Sequence, residues 1–178
     1  MRASDYAGFF IVLFGNFHLI MTHAIIIMGV SGSGKTTIGN MVADRLGMTF
    51  LDADDFHPEE NKAKMAGGTP LNDDDRLPWL QTLKEQLIST PRVVLACSAL
   101  KASYRFILDP NHAYSWIYLH GSKELIFERL KKRAGHYMKE NLLDSQFETL
   151  EVPSDALTVS IDQHPDEILE TILKSLKS

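Results

Sequence analysis

Lys35 and Thr36 close the string Gly29-Val30-Ser31-Gly32-Ser33-Gly34-Lys35-Thr36, which satisfies the pattern G-x-x-x-x-G-K-[ST]. Its chemistry is that of a polyphosphate cradle. Glycines let the backbone turn its N–H groups onto phosphate oxygens, the lysine reaches the outer phosphates, and the threonine hydroxyl ligates Mg²⁺. An apolar run, "AIIIM", precedes the string and a helical pattern follows it, which is the setting the motif requires. The stretch from Gly29 to Thr37 is therefore expected to bind a nucleoside triphosphate.

Binding a triphosphate leaves open what receives the phosphoryl group. The guanine-reading string N-K-x-D of regulatory GTPases is not matched, since "NKAK" (61–64) lacks the aspartate, and the formal D-x-x-G match "DRLG" (44–47) falls at the end of a helical pattern. Acidic groups suited to phosphoryl transfer occur instead as Asp52 and Asp54 in "FLDADDFH". Two residues apart on an extended segment they share a direction, so one can hold magnesium through water while the other orients or deprotonates an attacking hydroxyl. Asp55 reads as structural. In "ERLKKRAGHYMKE" (128–140), Arg129 and Arg133 are four apart and share a helix face just before Gly135. An arginine that closes over the triphosphate stabilises charge on the transferring group and excludes water. His136 is a further candidate in the same stretch.

These groups need a frame that brings chain segments far apart in sequence to one edge. Short apolar runs at 24–29, 49–53, 92–97, 115–120 and 157–161 alternate with amphipathic helical patterns. Nearly continuous apolarity is the mark of strands covered on both faces, and the alternation predicts a doubly wound parallel α/β sheet. Gly47 is placed to end the first helix, Ser122 to cap a later one, and Pro78 is read as a first-turn proline. The strand-free region 54–90 opens with His, Asn, Lys, Asp and Arg among turn residues. It starts at the carboxyl end of a strand, so it is expected to be an inserted substrate region.

The 178 residues suit one domain, with 44% hydrophobic and 23% charged residues. Eighteen basic against twenty-three acidic residues give a net charge of −5 and argue against nucleic acid as partner. The single cysteine, Cys97, can form no internal disulfide, which suits a cytoplasmic protein. "FFIVLFGNFHLIM" (9–21) is interrupted by Gly15, Asn16 and His18 and falls short of a membrane span. Residues 1–20 are expected to be an extension outside the fold, with Met21 opening a kinase domain over 21–178.

With the phosphate loop, "DADDFHPEENKAKM", "PLNDDDRLPWL", "CSALKASYR" and "RAGHYM" through "SQFETLE" in view, the chain from about Ala24 onward resembles the gluconate kinases. The resemblance implies a P-loop kinase fold with a five-stranded parallel sheet ordered 2-3-1-4-5, flanked by helices, with a substrate-binding insertion and a lid. It implies transfer of the ATP γ-phosphoryl group to D-gluconate with Mg²⁺, and a homodimer. It assigns ATP to Gly29, Val30, Ser31, Gly32, Ser33, Gly34, Lys35 and Thr36, to which the residue reading adds Thr37 and Arg129, with metal at Thr36 and Asp52. Catalysis falls to Lys35, Asp54 and the lid arginine Arg133. For gluconate, the cations and hydrogen-bonding groups at hand are Asp54, His57, Asn61, Lys64, Arg76, Ser98, Lys101, Arg105 and His136. Arg76 or Arg105 is favoured for the carboxylate, because a guanidinium grips it with two bonds. The adenine contacts are placed near "IDQHP" (161–165). Two alternatives stand beside this reading: a related kinase for another small acid or a nucleotide, and a non-catalytic ATP-binding regulator.

Overall fold

In the computed structural model, which describes residues 24–132 and 140–177, five parallel strands form one sheet. They are β1 (Ala24–Met28), β2 (Thr49–Asp52), β3 (Val93–Cys97), β4 (Ser115–His120) and β5 (Leu157–Ser160), ordered β2-β3-β1-β4-β5. The extension 1–20, Met21, Arg133 and His136 lie outside the described residues.

β1 is central, paired with β3 on one side and β4 on the other, and all five of its residues are fully buried. Alternation along the strand divides the core. Ile25 and Ile27 face one apolar cluster, built with Ile38 and Val42 of α1 (Lys35–Leu46) and Ile168 and Ile172 of α7 (Pro165–Ser175). Ala24, Ile26 and Met28 face the other, built with Trp79, Leu83 and Leu87 of α3 (Asp73–Ser89) and Tyr104 and Leu108 of α4 (Ala102–Leu108). Burying one such side chain contributes roughly 1.5–3 kcal/mol, whereas an exposed ion pair such as Arg45–Glu170 contributes about 0–1 kcal/mol. The two apolar layers therefore carry the stability, and the charged groups are left for chemistry.

The remaining helices are α2 (Glu59–Ala66), α5 (Lys123–Lys132) and α6 (Glu140–Thr149). Gly47 ends α1 in the left-handed conformation, and Leu125 N–H donates to Ser122 Oγ at the start of α5, both as expected. The expected role of Pro78 is corrected. The helix starts five residues earlier, because Asn72 and Asp75 form a reciprocal cap, Asp75 N–H on Asn72 Oδ1 at 2.8 Å and Asn72 N–H on Asp75 Oδ2 at 3.1 Å. That cap outweighs the proline, which sits inside α3 at the cost of one backbone hydrogen bond. No helix among the described residues is long and apolar enough to cross a membrane.

Candidate active site

The phosphate loop joins β1 to α1 at the centre of the sheet, where strand order reverses and open α/β sheets bind their ligands. Gly29 has φ 146° and Gly32 has φ 83°; a Cβ on the first would stand 2.8 Å from Leu119 O, and on the second 2.9 Å from Leu130 Cγ. Only glycine fits at either position. Inside the loop Ser33 N–H donates to Val30 O at 3.2 Å and Lys35 Nζ donates to the same carbonyl at 3.1 Å. α1 then opens directly, with Gly34 as its N-cap. The first N–H groups of a helix lack intrahelical acceptors, so the loop and helix start form an anion seat.

Thr36 Oγ1 donates to Asp52 Oδ2 at 2.7 Å, bringing the end of β2 beside the start of α1. Asp52 Oδ1 accepts Asp54 N–H at 3.1 Å, which fixes the carboxylate. The strand ends there, and residues Ala53–Phe56 form a 3₁₀ turn. The two aspartates are thus neighbours through a turn rather than through strand alternation, and Asp54 is left projecting, its side chain 82% exposed. A hydroxyl beside one carboxylate is a donor set of hard oxygens, suited to Mg²⁺ that keeps most of its shell for water and phosphate. No cluster of three His, Cys, Asp or Glu residues among the described residues offers a fuller metal cage.

On the nucleotide side a hollow of about 250 Å³ is lined by Gly32, Gly34, Thr37, Arg129, Gln163 and Pro165. Arg129 Nη2 donates to Ile161 O at 2.5 Å, so the arginine expected at the triphosphate also secures the segment after β5. The structure places the "IDQHP" segment at this hollow through Gln163 and Pro165.

On the other side a groove of about 450 Å³ is lined by Leu71, Asn72, Asp73, Arg76, Lys101 and Thr149, among others. Lys101 Nζ reaches both oxygens of Asp73, at 2.7 and 2.8 Å, and Tyr104 Oη donates to the same carboxylate. These bonds, Lys101 first, pull the Asp73 carboxyl below its ordinary value and raise Lys101 above its own. Burial, then the bond to Asp73, raises the Tyr104 phenol. Arg76 lies 5.6 Å from the Tyr104 ring and donates to the carbonyls of Leu71 and Asn72. Sequence reasoning names Arg76 and Lys101 but misses Asp73 and Tyr104, whose only signal is the blocks in which they stand.

Other candidates serve the frame of this groove. Lys64 Nζ lies 2.5 Å from Asp75 Oδ1, and Asn61 Nδ2 donates to Asp75 O at 2.8 Å, tying α2 to α3. His57 is buried, stacked on Trp79 with ring centroids 4.3 Å apart, its Nε2 3.9 Å from Asp54 Oδ1. Burial holds its pKa below the ordinary value, so the ring is neutral near pH 7. Trp79 Nε1 in turn donates to Ala53 O at 2.8 Å, so this stack fixes the turn carrying Asp54. Ser98 is half-buried just past β3. Arg105 is placed elsewhere: Nη1 donates to the carbonyls of Ala99, Leu100 and Glu151, and the residue lines a separate hollow with Trp116 and Asp155. Cys97 is sealed at the end of β3, its thiol pushed up to about 12 by burial.

A family model for shikimate kinase matches residues 31–177. The chain is 46% identical over 171 residues to a probable gluconokinase of Dictyostelium discoideum, covering 86% of each chain. It is 44% identical over 164 residues to the thermoresistant gluconokinase of Escherichia coli (strain K12), covering 87% of this chain and 94% of that one. The crystal structure of a gluconokinase from Sinorhizobium meliloti 1021 superposes with a TM-score of 0.82 at 43% identity, over 86% of this chain and 91% of the other. At such identities over most of both chains, and on the 2-3-1-4-5 sheet described above, the chain belongs to the gluconokinases, within the shikimate kinase type of P-loop domain.

Proposed function

We propose that the protein transfers the γ-phosphoryl group of ATP to the terminal hydroxyl of D-gluconate, giving 6-phospho-D-gluconate and ADP. The observation that carries this reading is the pairing of two sites. The Thr36–Asp52 contact marks the phosphate end, and the groove with Arg76, Lys101 and Asp73 supplies the mixed cationic and hydrogen-bonding wall a polyhydroxy acid requires. The gluconokinase relatives support gluconate over other small acids.

Gly29 to Thr37 and Lys35 Nζ hold and orient the triphosphate. Thr36 Oγ1 and Asp52 would hold Mg²⁺, which when bound neutralises charge between the β- and γ-phosphates. Asp54 accepts the proton of the terminal hydroxyl as its oxygen bonds to the γ-phosphorus and the bond from phosphorus to the β-bridging oxygen breaks, leaving ADP. Arg76 grips the gluconate carboxylate, with Lys101 in support. Asp73 and Tyr104 take hydroxyls of the chain. Arg133 is proposed, from its place in the sequence and the family resemblance, to close over the triphosphate, and His136, from the sequence, to reach gluconate. A homodimer in the cytoplasm is part of the same proposal.

The test is ADP release with Mg²⁺ and ATP in the presence of D-gluconate, shikimate, glycerate, adenylylsulfate or a nucleoside monophosphate. Release driven by gluconate with stoichiometric 6-phosphogluconate is expected. Release driven by another acceptor, with none for gluconate, would reassign the groove.

A further inference from the structure

Gln146 and Glu151 stand five residues apart, one in α6 and one just past it, and each bonds to a different wall of the site. At the phosphate loop, Ser31 N–H donates to Gln146 Oε1 at 2.7 Å, and Gln146 Nε2 lies 3.4 Å from Ser31 Oγ. At the loop between β3 and α4, Glu151 N–H donates to Leu100 O at 2.8 Å, and Glu151 Oε2 accepts Ala102 N–H at 2.7 Å. Arg105 Nη1 joins Glu151 O to Ala99 O, both at 3.1 Å. Ala99 is fully buried with φ 42°, a conformation that persists only where neighbours over-determine it. Lys101 follows on this loop, and Thr149, between the two contacts, lines the acceptor groove.

The helix that carries these contacts, and the residues just past it, are themselves fixed. Leu143 is buried, Phe147 and Leu150 pack on the apolar layers, and Lys123 of α5 pairs with Asp144 at 2.7 Å. The phosphate loop and the Lys101 loop leave adjacent strands, β1 and β3, and the sheet alone sets only their roots. Their tips are tied to one another through residues 146–151. In-line transfer needs reacting atoms held at about 3–3.5 Å, and a displacement of about 1 Å can cost on the order of 10²-fold in rate.

We propose that residues 146–151 form a brace that sets the separation between donor and acceptor, with Gln146 and Glu151 as positioning residues at its two ends. This rests on the gluconate kinase reading for the acceptor, but its nucleotide end does not.

The test uses the full chain with Gln146→Met, which keeps side-chain length and loses both hydrogen bonds, Glu151→Ala, and the double variant. Turnover with gluconate, the melting temperature, and the affinity of a non-hydrolysable ATP analogue with Mg²⁺ are measured for each. Each single variant is expected to lower kcat about 10-fold or more at temperatures well below its melting transition. Q146M should also weaken the analogue, whereas E151A should leave it unchanged and raise the gluconate KM. The double variant should lose less than the product of the two, since a strap loosened at one end transmits less from the other. Near-normal kcat in either single variant, or losses that multiply independently, would overturn the brace. Should Q146M fail to fold, Gln146→Asn, whose amide is one carbon short, is read in the same way. If the unaltered protein does not phosphorylate gluconate, the acceptor end of the brace falls with the acceptor assignment; weakening of the analogue by Q146M then upholds only the Gln146 contact at the phosphate loop, and unchanged affinity overturns that as well.

Discussion

The two halves of the site are built from different materials. The nucleotide half is mostly backbone: a loop in which Gly29 and Gly32 admit no side chain, a helix start, and a carboxylate held by a neighbouring N–H. The acceptor half is mostly side chains already engaged with one another, Lys101 with Asp73, Lys64 with Asp75, and Arg76 with two carbonyls. A backbone seat is ready before the ligand arrives, because its geometry belongs to the sheet. A seat of paired charges is balanced, so an acidic substrate must displace internal partners or be accepted only where its hydroxyls replace the bonds it breaks. Discrimination then sits on the acceptor side, since a wrong substrate that breaks these internal bonds without replacing them leaves polar groups of the groove without partners.

The comparison breaks first at Lys35. Lys35→Ala should lower kcat/KM by about 10²–10³-fold, as loss of a cation at developing phosphoryl charge does, with analogue binding weakened as well. At the seam between the halves, Asp54→Asn should spare ATP-analogue binding and cut turnover by about 10²-fold; normal turnover would remove Asp54 from proton transfer. On the acceptor side, Arg76→Ala should raise the gluconate KM by about 10-fold or more, the scale of a charge-assisted hydrogen bond, and change the ATP KM far less. Equal changes in both constants would erase the distinction between the halves.

Smaller effects sharpen it. Burial keeps the folded-state pKa of His57 below its ordinary value of 6.5, so between those two values the unfolded chain binds more protons. The stability due to neutral His57 is complete above pH 6.5 and declines as pH falls through that window. Melting temperature should drop from pH 7 to pH 5, and His57→Phe, which retains the stack on Trp79, should flatten that slope. The depressed carboxyls of Asp73 and Asp75 stabilise the fold throughout this range, and their contribution is lost only as pH falls below their ordinary 3.8. Least affected of all should be Cys97: with its pKa near 12 and its side chain buried, iodoacetamide at pH 8 should leave the native protein unlabelled and fully active.

What could be read from sequence follows the same division. β1 and β3, with every residue buried, announce themselves by continuous apolarity, and all five strands lie within two residues of the expected bounds. The phosphate loop is legible because eight consecutive residues hold its chemistry. Asp73 and Tyr104 are not, since their contact joins positions 31 apart, and Gln146 meets Ser31 across 115 residues. Pro78 misled by being the loudest local signal, while the cap formed by Asn72 and Asp75 needed only short polar side chains. Arg105 has the right chemistry for a carboxylate but is occupied by three carbonyls, which no spacing reveals.

Asp75 carries one last consequence. Its side chain caps α3 through Asn72 and pairs with Lys64, while its carbonyl takes the Asn61 amide, so one residue stitches two helices that have no strand between them. Positions 61, 64, 72 and 75 therefore depend on one another through this residue. Across natural variation they should drift together or stand still together, and a lineage that changes one without the others should show the substrate insertion reshaped.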